Sequence, residues 1–117
     1  MKLGAFSISL AVKDIETSRD FYQKMGFEVV AGDVAENWLV LRNETTNIGL
    51  FQGMFEKNTL TFNPGWDSQG AEVDDFIDVR EIQQRLKQAG IKLESEVDPE
   101  ADQGPGHFFF FDPDGNP

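Results

Sequence analysis

Trp66 stands at the head of a run of carboxylates. Asp67, Glu72, Asp74 and Asp75 follow it within residues 66–77, and no basic residue interrupts them. An aromatic face beside fixed negative charge can hold a cation through stacking, cation–π attraction and Coulomb attraction. The same composition suits a plain solvated loop, so Trp66, Asp67 and Glu72 are candidates and not yet a site. Trp38, Phe51 and Phe62 lie on strand-like runs. They could wall a cavity for a planar ligand, although Phe is more often simply core.

Other chemistry is scarce. His107 is the one imidazole; a lone His at a strand start is more often structural than a general base or metal ligand. There is no Cys, so thiolate and disulfide chemistry are closed. No Ser-His-Asp pattern and no Gly-rich phosphate loop occurs. The run Asp112-Pro113-Asp114-Gly115-Asn116 imitates a calcium loop. Its Gly follows the second Asp directly, whereas a calcium loop needs three ligand positions first. A tight turn explains all its residue types. The residues therefore assign no catalytic group, no metal ligand and no cofactor.

The 117 residues suit one domain. A net charge of −11 and a pI near 4.3 argue against nucleic acid as a partner. That charge serves solubility, or attracts a cationic ligand. No stretch approaches the ~20 apolar residues of a membrane span. The N-terminal run reads as an alternating strand: Ser7 and Ser9 break its apolar character, and Lys13-Asp14 stands where a signal cleavage site would be. The expectation is a cytoplasmic protein.

The elements that must position these residues come from a stretch used twice. Residues 14–26 (DIETSRDFYQKMG) and 78–90 (DVREIQQRLKQAG) each open on Asp and close on Gly. Ile15, Ser18, Tyr22 and Met25 match Val79, Ile82, Leu86 and Ala89 in offset, and Phe21 widens the first stripe. That spacing predicts two amphipathic helices. Asp14 and Asp78 are N-caps, with Glu81 completing a capping box. Gly26 and Gly90 are left-handed stops. Strands are predicted at 5–12, 27–31, 37–42, 48–52, 59–63, 91–97 and 106–111. Turns are predicted at 32–33 and 43–47, and an acidic loop at 98–106. The apolar run of residues 106–111 predicts a strand buried on both faces. The halves read β-α-β-β-β (1–54) and β-α-β-β (58–117). By repeat logic one further strand, equivalent to 48–52, belongs after residue 117, and without it a sheet edge is unpaired.

Residues 8–30 (ISLAVKDIETSRDFYQKMGFEVV) resemble the opening of the vicinal oxygen chelate superfamily, which includes glyoxalases, bleomycin-resistance proteins and extradiol dioxygenases. Residues 108–117 (FFFFDPDGNP) resemble its closing signature. The resemblance implies an α+β fold of two tandem βαβββ modules forming a cupped, half-barrel mixed sheet, commonly as a homodimer. In metal-using members four strand positions supply the ligands. Here they carry Ser7, Gly49 and one of Thr59, Thr61 or Asn63, with the fourth beyond Pro117. Hydroxyls and Gly do not hold a divalent transition metal with useful affinity.

The expectation is a metal-independent small-molecule binding protein, like the bleomycin-resistance branch. Its ligand, of which a cation is the sharpest reading, would sit in an aromatic, acidic cup formed by Trp38, Phe51, Phe62, Trp66, Asp67 and Glu72. The alternatives are a metal-dependent lyase or isomerase of glyoxalase type, and an interaction module whose cup is filled by its own side chains.

Overall fold

The computed structural model describes residues 1–100 and 106–117. Part of the acidic loop expected at 98–106 therefore lies outside the described residues. Strand β1 (Ala5–Val12) is followed by helix α1 (Ile15–Lys24), then β2 (Glu28–Asp33), β3 (Trp38–Asn43), β4 (Thr46–Gln52), β5 (Thr59–Asn63) and helix α2 (Val79–Gln88). The fold is α+β. Its five-stranded sheet has the order β2-β3-β4-β1-β5 and is not closed into a barrel. β1 runs parallel to β4 and antiparallel to β5; β2–β3 and β3–β4 are antiparallel.

The helix ends follow the sequence. The Asp14 carboxylate accepts from Glu16 N (3.1 Å) and Thr17 N (3.3 Å), filling orphan donors of the first turn of α1. A third orphan, Ile15 N, donates to Gln52 Oε1 at 2.9 Å and ties α1 to β4. Gly26, at φ +101°, ends the helix in the left-handed region. Asp78 caps α2 through Arg80 N at 2.8 Å. Glu81 does not complete the capping box; it pairs with Arg85 one turn on, at 3.3 Å.

One face of the sheet and α1 make the core. Leu39, Leu41, Ile48 and Leu50 are buried against Ile15 and Phe27, with Ile8, Leu10, Val12, Tyr22 and Val34 packed around them. Side chains alternate along a strand, so the neighbouring positions point to the opposite, open face. Phe21 and Met25, read as part of the apolar stripe, stand exposed at the far end of α1.

Turn positions differ in detail. β2 runs through Gly32 and Asp33, and a short 3₁₀ turn (Val34–Glu36) closed by left-handed Asn37 makes the reversal. The turn at 43–47 tightens to Glu44-Thr45, because Asn43 and Thr46 pair in the ladder.

The second half departs from the expected pattern. Residues 91–97 keep the alternation of a strand, with Ile91, Leu93, Ser95 and Val97 half-buried and their neighbours exposed, yet they join no ladder. Instead Gln83, wholly buried on α2, holds Val97 by both backbone groups: Val97 N donates to Gln83 Oε1 (2.7 Å) and Gln83 Nε2 donates to Val97 O (3.0 Å). Residues 106–111 form no strand either. Phe109 and Phe111 are exposed while Phe108 and Phe110 are half-buried, so burial on both faces does not hold. Glu94 N and Ser95 N donate to Phe109 O (2.9 and 3.3 Å), a local clasp in place of a ladder. Strand character needs a partner edge for its backbone groups; the edge strand β5 reaches only the chain's last residue, Leu60 N donating to Pro117 O (3.1 Å), and neither segment joins a ladder among the described residues.

Candidate functional site

The open face of the sheet is the floor of the site. The registers put Ser7, Ser9 and Ala11 of β1 beside Thr59 and Thr61 of β5 and beside Asn47, Gly49 and Phe51 of β4. The β3 residues Trp38, Val40 and Arg42 pair with Phe51, Gly49 and Asn47 in turn. Ser9 Oγ and Thr61 Oγ1 are hydrogen-bonded at 2.9 Å. The floor thus runs from hydroxyl, amide and guanidinium groups at one end to Trp38 and Phe51 at the other.

Residues 64–73 fold back over the polar end. Ala5 N donates to Trp66 O (3.0 Å), Asn47 Nδ2 to Ser68 O (3.1 Å) and Gln69 Nε2 to Glu44 O (2.7 Å). The loop is also tied to itself: the Asp67 carboxylate accepts from Gln69 N (2.8 Å) and Ala71 N (3.0 Å). Trp66 and Glu72 form an isolated antiparallel bridge.

Two clefts meet at this loop, one on each side of the start of β1. The cleft over the floor, about 380 Å³, is lined by Ser7, Val40, Arg42, Asn47, Thr61 and Trp66 among others. The outer cleft, about 740 Å³, is lined by Phe6, Ile8, Trp66, Val73 and Phe76, with Lys2, Asp67 and Asp75 as its charged residues. Both volumes suit small ligands. The outer cleft is larger and more apolar, whereas Ser7, Arg42, Asn47, Thr61 and Asn63 bring polar groups to the floor cleft.

The structure divides the residues singled out from sequence. Trp38 and Phe51 share the far end of the floor. Trp66 and Asp67 border both clefts. Phe62 points to the other face of the sheet, its ring centroid 5.2 Å from that of Phe6. Glu72 lines neither cleft. His107 is exposed and lines neither. Asp112 is consumed by its own turn, accepting from Asp114 N (2.9 Å), Asn116 N (2.8 Å) and Asn116 Nδ2 (2.7 Å). The Asn116 side chain and backbone hold its carboxyl below the ordinary carboxylate value.

Arg42 and Asn47 are the residues that reading the sequence missed. The signal was present in the run Trp38-Leu39-Val40-Leu41-Arg42: if Leu39 and Leu41 face the core, Trp38, Val40 and Arg42 share the opposite face.

No group of three or more His, Cys, Asp or Glu side chains suited to a metal ion occurs among the described residues. The space above Gly49 is already taken: a Cβ there would lie 2.7 Å from Phe51 Cε2.

An α+β domain whose sheet is open on one face and packed against a helix on the other defines the class. The chain belongs to the Glyoxalase/Bleomycin resistance protein/Dioxygenase superfamily, whose family model matches residues 4–117. A superfamily member from Vibrio splendidus 12B01 has a similar crystal structure, with a TM-score of 0.60 and 20% identity over 95% of this chain and 91% of that one. The crystal structure of SMU.1112c aligns at 27% identity over 94% of this chain and 91% of that one, with a TM-score of 0.33. No curated protein matches the sequence.

Proposed function

We propose that the protein binds a small organic molecule on the sheet floor without a metal ion in the position usual for its family. One observation carries the reading. The family resemblance puts ligand positions at Ser7, near Gly49 and at one of Thr59, Thr61 or Asn63; all of these are neutral, and the Phe51 ring fills the space a longer side chain at Gly49 would need. That donor set is a poor match for a divalent transition metal. It suits an organic ligand that accepts and donates hydrogen bonds.

The test is thermal melting of chelator-stripped protein with Ni²⁺, Zn²⁺, Mn²⁺ or Fe²⁺. A site at 100 times its Kd would add about 2.7 kcal/mol, or about 10 °C for a domain of this size. The expected result is no shift. A shift of that size, lost on replacing Ser7 and Thr61 by Ala, overturns the reading in favour of a metal-dependent lyase or isomerase.

A second reading is favoured by the outer cleft. There Phe6, Trp66 and Phe76 stand with Asp67 and Asp75, two carboxylates against the single cation Lys2, surroundings that favour a cationic ligand. Its affinity would fall as salt rises.

A further inference from the structure

We infer that the floor cleft is built for a ligand carrying a carboxylate, with Arg42 as its anchor. The inference rests on the small-molecule reading above and adds the charge of the ligand.

The chain has 21 acidic residues and four arginines. Three arginines are matched with carboxylates: Arg19 with Asp20 (3.0 Å), Arg80 with Asp78 (3.2 Å) and Arg85 with Glu81 (3.3 Å). Arg42 has no ion pair among the described residues. Glu28 faces it across the β2–β3 pair and Asp67 borders the same cleft, yet neither approaches within ion-pair distance. In so acidic a chain, an unmatched guanidinium at the half-buried end of a cleft is a departure that needs a reason.

The guanidinium is held in place. Its Nε donates to Asn47 Oδ1 at 2.7 Å. Asn47 is buried, and its amide donates to Phe6 O (3.4 Å) and Ser68 O (3.1 Å). With its nitrogen donating to two backbone carbonyls, the Asn47 amide presents its oxygen to Arg42. Gly70, at φ +76°, lets the loop pass close by; a Cβ there would lie 3.3 Å from Arg42 Nη2. Nε is therefore spent on orientation, and the two terminal nitrogens have no partner among the described residues. An Arg fork matches a planar carboxylate with two parallel hydrogen bonds.

The surroundings agree. Ser7, Thr61 and Asn63 line the same cleft and can donate to a second oxygen. Val40, Ala31 and Trp66 offer apolar surface for the rest of the molecule. The implied class is a small aromatic or branched carboxylic acid with its acid group on Arg42.

The experiment compares three probes of one shape: benzoate, benzylammonium and benzyl alcohol. Each is titrated into the full ¹⁵N-labelled chain while amide, Trp indole and Arg Nε signals are followed. Benzoate should shift Ser7, Asn47, Thr61 and Arg42 Nε. Arg42→Gln should weaken benzoate by about tenfold to hundredfold and leave benzyl alcohol unchanged. Arg42→Lys, which keeps the charge without the fork, should retain only part of the affinity. If Arg42→Gln loses its native spectrum, the Arg42→Lys comparison and the wild-type probe order still decide. Equal binding of benzoate and benzyl alcohol, or benzoate shifts confined to the outer cleft, overturns the carboxylate inference while small-molecule binding stands. No shift with any of the three overturns both.

Discussion

The Phe51 ring lies over Gly49, with Cε2 2.7 Å from where a Gly49 Cβ would be. The two residues are i and i+2 on one strand and share the open face. The missing side chain at position 49 is what allows the aromatic ring to lie down on the floor. The ring also touches Phe55, with centroids 5.3 Å apart, so it is not free to move aside without loss.

Gly49→Ala should therefore destabilise the protein by about 1–2 kcal/mol through overpacking, measured by urea unfolding. In a Phe51→Ala background the same change should be neutral or slightly favourable, because Ala lowers the entropy of the unfolded chain. The double-mutant cycle should show coupling of about 1 kcal/mol or more. Additive effects would mean that the ring and the glycine are independent.

Asn47, on β4, is tied to β3, β1 and the 64–73 loop by three hydrogen bonds, with Arg42, Phe6 and Ser68. Asn47→Leu should cost about 1–3 kcal/mol by leaving buried groups unmatched. Amide exchange should speed up at Gly70 and Ala71, whose loop loses its tie. Exchange there at the wild-type rate would show that the loop is held by other contacts.

Gln83 replaces a ladder for residues 91–97. Gln83→Leu keeps the volume but strands the Val97 N–H and C=O, and should cost about 2–4 kcal/mol from two lost partners. Hydrogen exchange at Val97 is the specific reporter, and it should lose its protection even where the global stability is restored by a stabilising osmolyte.

Asp112 supplies a pH dependence. Its folded-state pKa lies below the ordinary carboxylate value, chiefly through the Asn116 side chain. A depressed carboxylate stabilises the fold above its unfolded-state pKa, and that contribution is lost as pH falls through the folded value. Asp112→Asn should thus melt below wild type near pH 6, and the gap should close as pH falls through the folded-state value, which lies below the ordinary carboxylate range. A gap that persists into acid would point to lost side-chain geometry and not to charge.

Much of this was legible in the residues. Asp14, Gly26, Asp78 and Gly90 mark both helices because capping and left-handed stops are settled within one turn. Strands β1 and β5 were legible from alternation and β2 to β4 from strand-like runs between turns, and the family from the spacing of residues 8–30. The departures share a cause: a helix closes its hydrogen bonds within itself, whereas a strand requires another edge. Residues 91–97 and 106–111 carry strand-like patterns, but tertiary structure gave them Gln83 and a short clasp instead of a ladder. The site followed the same rule. Trp38, Phe51 and Trp66 could be named as aromatics, and Asp67 as a carboxylate. Only the register of β3 on β4 and the fold-back of residues 64–73 put Arg42, Asn47, Ser7 and Thr61 around one cleft, since they are far apart in the chain and meet only when the sheet forms.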